Sequence, residues 1–129
     1  KSAVKISGDK ALCYDVNAEG NWLPNLKELE KLNLENVKIM CINYPHMPTG
    51  GNATPAFFEE LIEFAKKHEL LICHDNPYSF IMTEKPTSIL SVPGAKDVAI
   101  ELNSLSKTFN MAGWRQGKLL AEKERISEI

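Results

Sequence analysis

Three short apolar runs, residues 38–42, 70–73 and 98–102, constrain the fold most, because a cluster of polar residues follows each of them at once. Runs of this length read as buried strands. Between the first two lies a segment of helical period. Phe57, Phe58, Leu61, Ile62 and Ala65 share one face, and Glu59, Glu60, Glu63 and Lys66 the other. Thr54 is its predicted cap, and Pro55 occupies its first turn. A mostly parallel sheet would gather the three polar clusters at its carboxyl edge, where open α/β sheets bind ligands. The expected fold class is α/β.

The remaining elements are shorter. Residues 11–16 are strand-like and 21–24 form a turn. Leu26, Leu29 and Leu32 have the spacing of a short amphipathic helix. Residues 83–96, with Pro86, Pro93 and Gly94, form a connector. Residues 118–121 are expected to be a last strand before a charged helix.

The chemistry sits in the polar clusters. Residues 104–117, Ser-Leu-Ser-Lys-Thr-Phe-Asn-Met-Ala-Gly-Trp-Arg-Gln-Gly, place Ser104, Ser106, Lys107 and Arg115 around a small-residue turn. A lysine at the end of a buried strand can lose its proton and attack a carbonyl. Hydroxyls and a guanidinium close by can hold a phosphate. These are the needs of a phosphorylated aldehyde cofactor carried as a Schiff base. His74-Asp75-Asn76-Pro77-Tyr78 follows the second run, and Asp75 there is either a ligand group or a turn residue bonded to nearby backbone. Asn43-Tyr44-Pro45-His46-Met47-Pro48-Thr49-Gly50 follows the first.

Together these segments resemble the fold-type I pyridoxal-phosphate enzymes, most closely the class I/II aminotransferases. Ser104-x-Ser106-Lys107, then Arg115 with Gly113 and Gly117 around it, is similar to that family's cofactor-lysine signature. Asp75-x-x-Tyr78 is similar to its Asp-x-x-Tyr, and residues 45–50 to its Pro-x-Asn-Pro-Thr-Gly loop. The resemblance implies a three-layer α/β/α architecture with a mostly parallel sheet, part of the large, cofactor-binding domain. It implies that Lys107 bonds pyridoxal 5'-phosphate, and that Ser104, Ser106 and Arg115 face the phosphate. The planar fork of Arg115 suits paired, charge-assisted bonds. Asp75 would pair with the pyridinium nitrogen, and Tyr78 would donate to the ring's phenolate oxygen. One position departs from the pattern: Met47 stands where the family has an asparagine that bonds the same ring oxygen, and a thioether cannot donate. Tyr78 alone then holds that oxygen, or Asn43 or His46 reaches in.

The family's members are several times longer than 129 residues. The expectation is therefore a central piece of one cofactor-binding domain, lacking the N-terminal part, the small domain and its carboxylate-binding arginine. On this reading the intact parent moves an amino group between an amino acid and a 2-oxo acid, as a homodimer. The piece alone is expected to be inactive. A carbon–sulfur β-lyase using the same contacts and a non-catalytic fragment are the alternatives.

Composition excludes other classes. With 25 % charged residues and a formal charge of −2, nothing favours nucleic acid or an anionic membrane. No apolar run has the length of a membrane span. Cys13, Cys41 and Cys73 lie in apolar runs without paired spacing, so reduced core thiols in a cytoplasmic protein are expected. A metal centre built from Cys41, His46, Cys73 and His74 lacks metal-ligand spacing, and no metal is expected.

Overall fold

A computed structural model describes residue 4 and residues 6–127. Four strands form one sheet in the order β1 (Ile39–Asn43), β2 (Leu71–Asp75), β3 (Ala99–Ser104) and β4 (Gly117–Leu120). The first three are parallel, and β4 runs antiparallel to β3. The mostly parallel α/β sheet read from the sequence is the sheet observed.

Its register decides which residues share a face. Ile42, His74 and Glu101 form one row and point toward the core, because side chains alternate along a strand. Asn43, Asp75 and Leu102 form the next row and point the other way. Three consecutive strand ends thus present polar groups at one edge.

The long helix, Pro55–Lys67, covers the core face. Thr54 Oγ accepts from the Phe57 amide at 3.1 Å, which satisfies one of the free N–H groups of the first turn. Phe57, Phe58, Leu61, Ile62 and Ala65 are buried, as the periodicity predicts, and Phe64 is buried with them. They pack with Met40, Ile42, Ile72 and Ala99. Glu69, in the left-handed region at φ 53°, ends the helix and turns the chain into β2.

Two local expectations are corrected, and a third element, the connector, proves to be packed. Residues 11–16 form no strand, because the stretch makes no ladder with β1; its hold on the sheet is the Tyr14 hydroxyl, which donates to the Cys41 carbonyl at 2.7 Å. The helix at Leu26 ends at Leu29, leaving Leu32 exposed. Just beyond it, Asn33 Oδ1 accepts from the Glu35 amide at 3.1 Å, a local bond that competes with helix propagation. The connector is part of the core. Its two 3₁₀ turns, Ile89–Ser91 and Ala95–Asp97, bury Ile89 and Ala95 completely. Gly94 between them has φ 77°, and a Cβ there would lie 2.5 Å from Lys66 Nζ.

The last helix is Lys123–Ile126, and the chain's final residues, 128 and 129, lie outside the described ones, as do residues 1–3. Among the described residues, no helix is long and apolar enough to cross a membrane.

Candidate functional site at the carboxyl edge of the sheet

The loop at residues 104–117 is an excursion closed at its base by the sheet. Ser104 ends β3 and pairs in register with Gly117, which begins β4. The Leu105 amide donates to the Gln116 carbonyl at 3.2 Å just above that pair. Gly117 is required there, since a Cβ would lie 2.9 Å from the Asn103 carbonyl oxygen. Gly113 has open space around it, so sterics within the described residues do not explain it.

Ser104 caps the one-turn helix Leu105–Thr108, its Oγ accepting from the Ser106 amide at 3.1 Å. That turn presents Lys107 on the surface, with Nζ 5.9 Å from the centre of the Tyr78 ring. Lys107 forms no salt bridge among the described residues. Arg115 closes the excursion in the left-handed region at φ 52°, exposed, its Nη1 donating to the Ala112 carbonyl at 3.2 Å.

Asp75 stands exposed at the end of β2. Partial burial raises its carboxyl above the ordinary value, against an opposing pull from His74. A cationic ring nitrogen beside it would reverse that rise by favouring the carboxylate. Asn43, its register partner, is bonded at both ends of its amide: Nδ2 donates to the Asp75 carbonyl at 2.9 Å, and Oδ1 accepts from the Met47 amide at 2.8 Å. Asn43 therefore clips the loop after β1 to the end of β2. Met47 contributes its backbone here, while its side chain is 61 % exposed. His46 turns to its own loop, with Nδ1 2.7 Å from Thr49 Oγ and its ring stacked on Trp22. A cleft of about 350 Å³ opens beside these groups, with Tyr14, Cys41, Asn43, His46 and Asp75 in its wall. A larger hollow, about 440 Å³, lies over Phe58, Ser79 and Met82, away from Lys107 and Asp75.

The cysteines are free but are not core thiols. Cys13 and Cys41 are exposed and Cys73 is half-buried. Cys41 and Cys73 are register partners on the side of the sheet away from the long helix, and a hydrogen bond from Cys73 lowers the Cys41 thiol. His74 lies on the opposite face with both nitrogens engaged, so the groups weighed as a metal centre do not converge.

Sequence reading passed over a buried polar cluster under this edge. Glu101, 2 % exposed, accepts from Ser88 Oγ (2.7 Å), the Ile89 amide (3.1 Å), Asn103 Nδ2 (2.9 Å), Asn76 Nδ2 (3.3 Å) and His74 Nδ1 (3.2 Å). Burial alone would raise its carboxyl, but the hydrogen bonds, from His74 first, hold it down at about 2. The other nitrogen of His74 lies 3.0 Å from the Tyr44 carbonyl. His74 therefore links the Glu101 carboxylate to the backbone at the end of β1. The signal was a charged residue within the apolar run Val98-Ala99-Ile100-Glu101-Leu102: a carboxylate in a buried strand must be paired.

A carboxyl edge with a surface lysine, an aspartate outside any described salt bridge and a cleft beside that aspartate is that of a ligand-binding α/β domain. The chain belongs to the aminotransferase class I and II family, whose model matches residues 1–129. It is 49 % identical to an LL-diaminopimelate aminotransferase of Aquifex aeolicus over 126 residues, 96 % of this chain and 33 % of that protein. It is 42 % identical to one of Dehalococcoides mccartyi over 127 residues, 97 % of this chain and 33 % of that protein. Among solved structures it is similar to BacF from Bacillus subtilis, with TM-score 0.92 and 35 % identity over 98 % of this chain and 32 % of that one. A probable N-succinyldiaminopimelate aminotransferase from Thermus thermophilus gives TM-score 0.88 and 34 % identity over 98 % of this chain and 34 % of that one. The chain spans about a third of the length of the curated relatives it matches.

Proposed function

We propose that these residues are the central part of the cofactor-binding domain of an aminotransferase, which moves an amino group between an amino acid and a 2-oxo acid. The observation that carries this is the convergence of Asp75 with the Lys107–Tyr78 pair at one sheet edge, from segments far apart in sequence. The residues fit pyridoxal 5'-phosphate: Lys107 is on the surface and outside any described salt bridge, Asp75 is an exposed carboxylate, and an open cleft lies beside Asp75 and Asn43.

Bound there, the cofactor would supply an electron sink for the pair left when a bond to the substrate's α-carbon breaks. The chain's own groups do the rest. Asp75 would hold a proton on the ring nitrogen, and Tyr78 would donate from its hydroxyl to the ring oxygen. Asn43 would keep the Asp75 backbone and the Met47 loop in register. Ser104, Ser106 and Arg115 would hold the phosphate. Lys107 Nζ would carry the cofactor and later move the α-proton.

Diaminopimelate-type amino acids are the first substrates to try, because the relatives cited above carry that name. A homodimer in the cytoplasm is the setting the family resemblance suggests, and free, surface-accessible thiols agree with a reducing compartment. The test is an amino-transfer assay on the full-length protein with LL-diaminopimelate and 2-oxoglutarate. Formation of glutamate supports the reading. Release of ammonia and a thiol from a sulfur amino acid, without transfer, would replace it with a β-lyase.

A further inference from the structure

Asp75 is exposed and Asn43 and Ser104 are half-buried at this sheet edge, but each of these residues is the neighbour in sequence of one that points into the core. Every one of those inward neighbours is tied to Glu101. His74 and Asn76 bracket Asp75, and both donate to the Glu101 carboxylate, at 3.2 and 3.3 Å. Asn103, beside Ser104, donates to Glu101 at 2.9 Å and to the Asn76 carbonyl at 3.4 Å. Tyr44, beside Asn43, is reached through His74, whose Nε2 donates to its carbonyl at 3.0 Å. Ser88 and the Ile89 amide bring in the connector that packs below.

We infer that Glu101, with His74, is a positioning residue for the aminotransferase reaction, holding the three strand ends in the one arrangement that aims Asp75 and the Ser104–Lys107 turn at the cofactor.

This rests on the functional reading above and adds a residue that touches neither substrate nor cofactor. A buried polar cluster of this kind is weak evidence for stability, since an apolar replacement of similar volume is often no worse. Geometry is what five hydrogen bonds to one carboxylate supply. They converge from the ends of β2 and β3 and from the connector, His74 extends the hold to the end of β1, and alternation along the strands converts a hold on the inner residues into a hold on the outer ones. A displacement of about 1 Å at such a site costs on the order of a hundredfold in rate.

The test uses the full-length enzyme. Glu101→Gln keeps the shape but faces the His74, Ser88 and Ile89 donors with an amide. Ile62→Val, on the buried face of the long helix, is the control for stability alone. The readouts are kcat and KM, the affinity of the apo-enzyme for pyridoxal 5'-phosphate, and the visible spectrum of the bound cofactor. Glu101→Gln is expected to lower kcat at least about tenfold with KM changed less than about threefold, to weaken cofactor binding about tenfold, and to shift the absorption band. Ile62→Val should lose thermal stability and change none of these. If Glu101→Gln loses stability but matches wild type in kcat, affinity and spectrum, the role is structural and the inference is wrong. Should that variant not fold, Ser88→Ala and Asn103→Ala each remove one donor. A spectrum and cofactor affinity unchanged in both would overturn the inference equally. A wild-type protein that binds no pyridoxal phosphate would instead defeat the functional reading, which separates the two failures.

Discussion

Asp75 is fixed through its neighbours on both sides and its register partner across the strand, yet its carboxylate is open to the cleft. That combination is what a partner for a ring nitrogen requires, and it favours the ligand reading of Asp75 over the turn reading. Asp75→Asn is expected to cost at least about a hundredfold in kcat, with much smaller loss of cofactor binding, because it removes the charge that keeps the ring protonated. Near-normal kcat would return Asp75 to the status of a turn residue. Glu101 makes a separate prediction about pH. Its folded-state value, about 2, lies below the ordinary 4.5, so it stabilises the fold above pH 4.5 and loses that contribution as pH falls from 4.5 toward 2. The difference is on the order of 3 kcal/mol at neutral pH. Denaturation of wild type and Glu101→Gln should therefore show a stability gap that closes across that interval. A gap independent of pH would mean the carboxylate is not held ionised by its partners.

At the scale of elements, local chemistry written into the chain decides most of what forms. Thr54 and Pro55 start the long helix, and Thr54→Ala is expected to cost roughly 0.5–2 kcal/mol in chemical denaturation of the apo-enzyme. The period of Phe57, Phe58, Leu61, Ile62 and Ala65 gave the buried face correctly, because a helix face is a local property. The two ends of the excursion loop are another matter. Gly117→Ala would push β4 from β3 at the Asn103 carbonyl, and a loss of roughly 1–3 kcal/mol with weakened cofactor affinity is expected, measured by denaturation and by titration with pyridoxal 5'-phosphate. Residues 11–16 show where local reading fails. Their run of apolar residues suits a strand, but a strand exists only with a partner's hydrogen bonds, and pairing is not local. Leu32 fell outside its helix for a related reason, since Asn33 offers the backbone a competing local bond.

For the molecule as a whole, the three parallel strand ends bring together what the sequence kept in separate segments, and this part of the site was legible. Asn43, Asp75 and Ser104 follow apolar runs, so their common edge follows from parallel pairing. The layer beneath was not legible, since neither His74 nor Glu101 shows in sequence which groups it will meet. Only the presence of charge in a buried run hinted at it. The cysteines were misplaced because an apolar run has two faces, and Cys41 is on the side the long helix does not cover. The central claim is that this edge carries pyridoxal 5'-phosphate on Lys107. Borohydride reduction of the full-length holoenzyme, followed by peptide mapping, tests it most directly. The account predicts a single modified peptide with the cofactor on Lys107. A cofactor fixed to any other lysine, or to none, would contradict it.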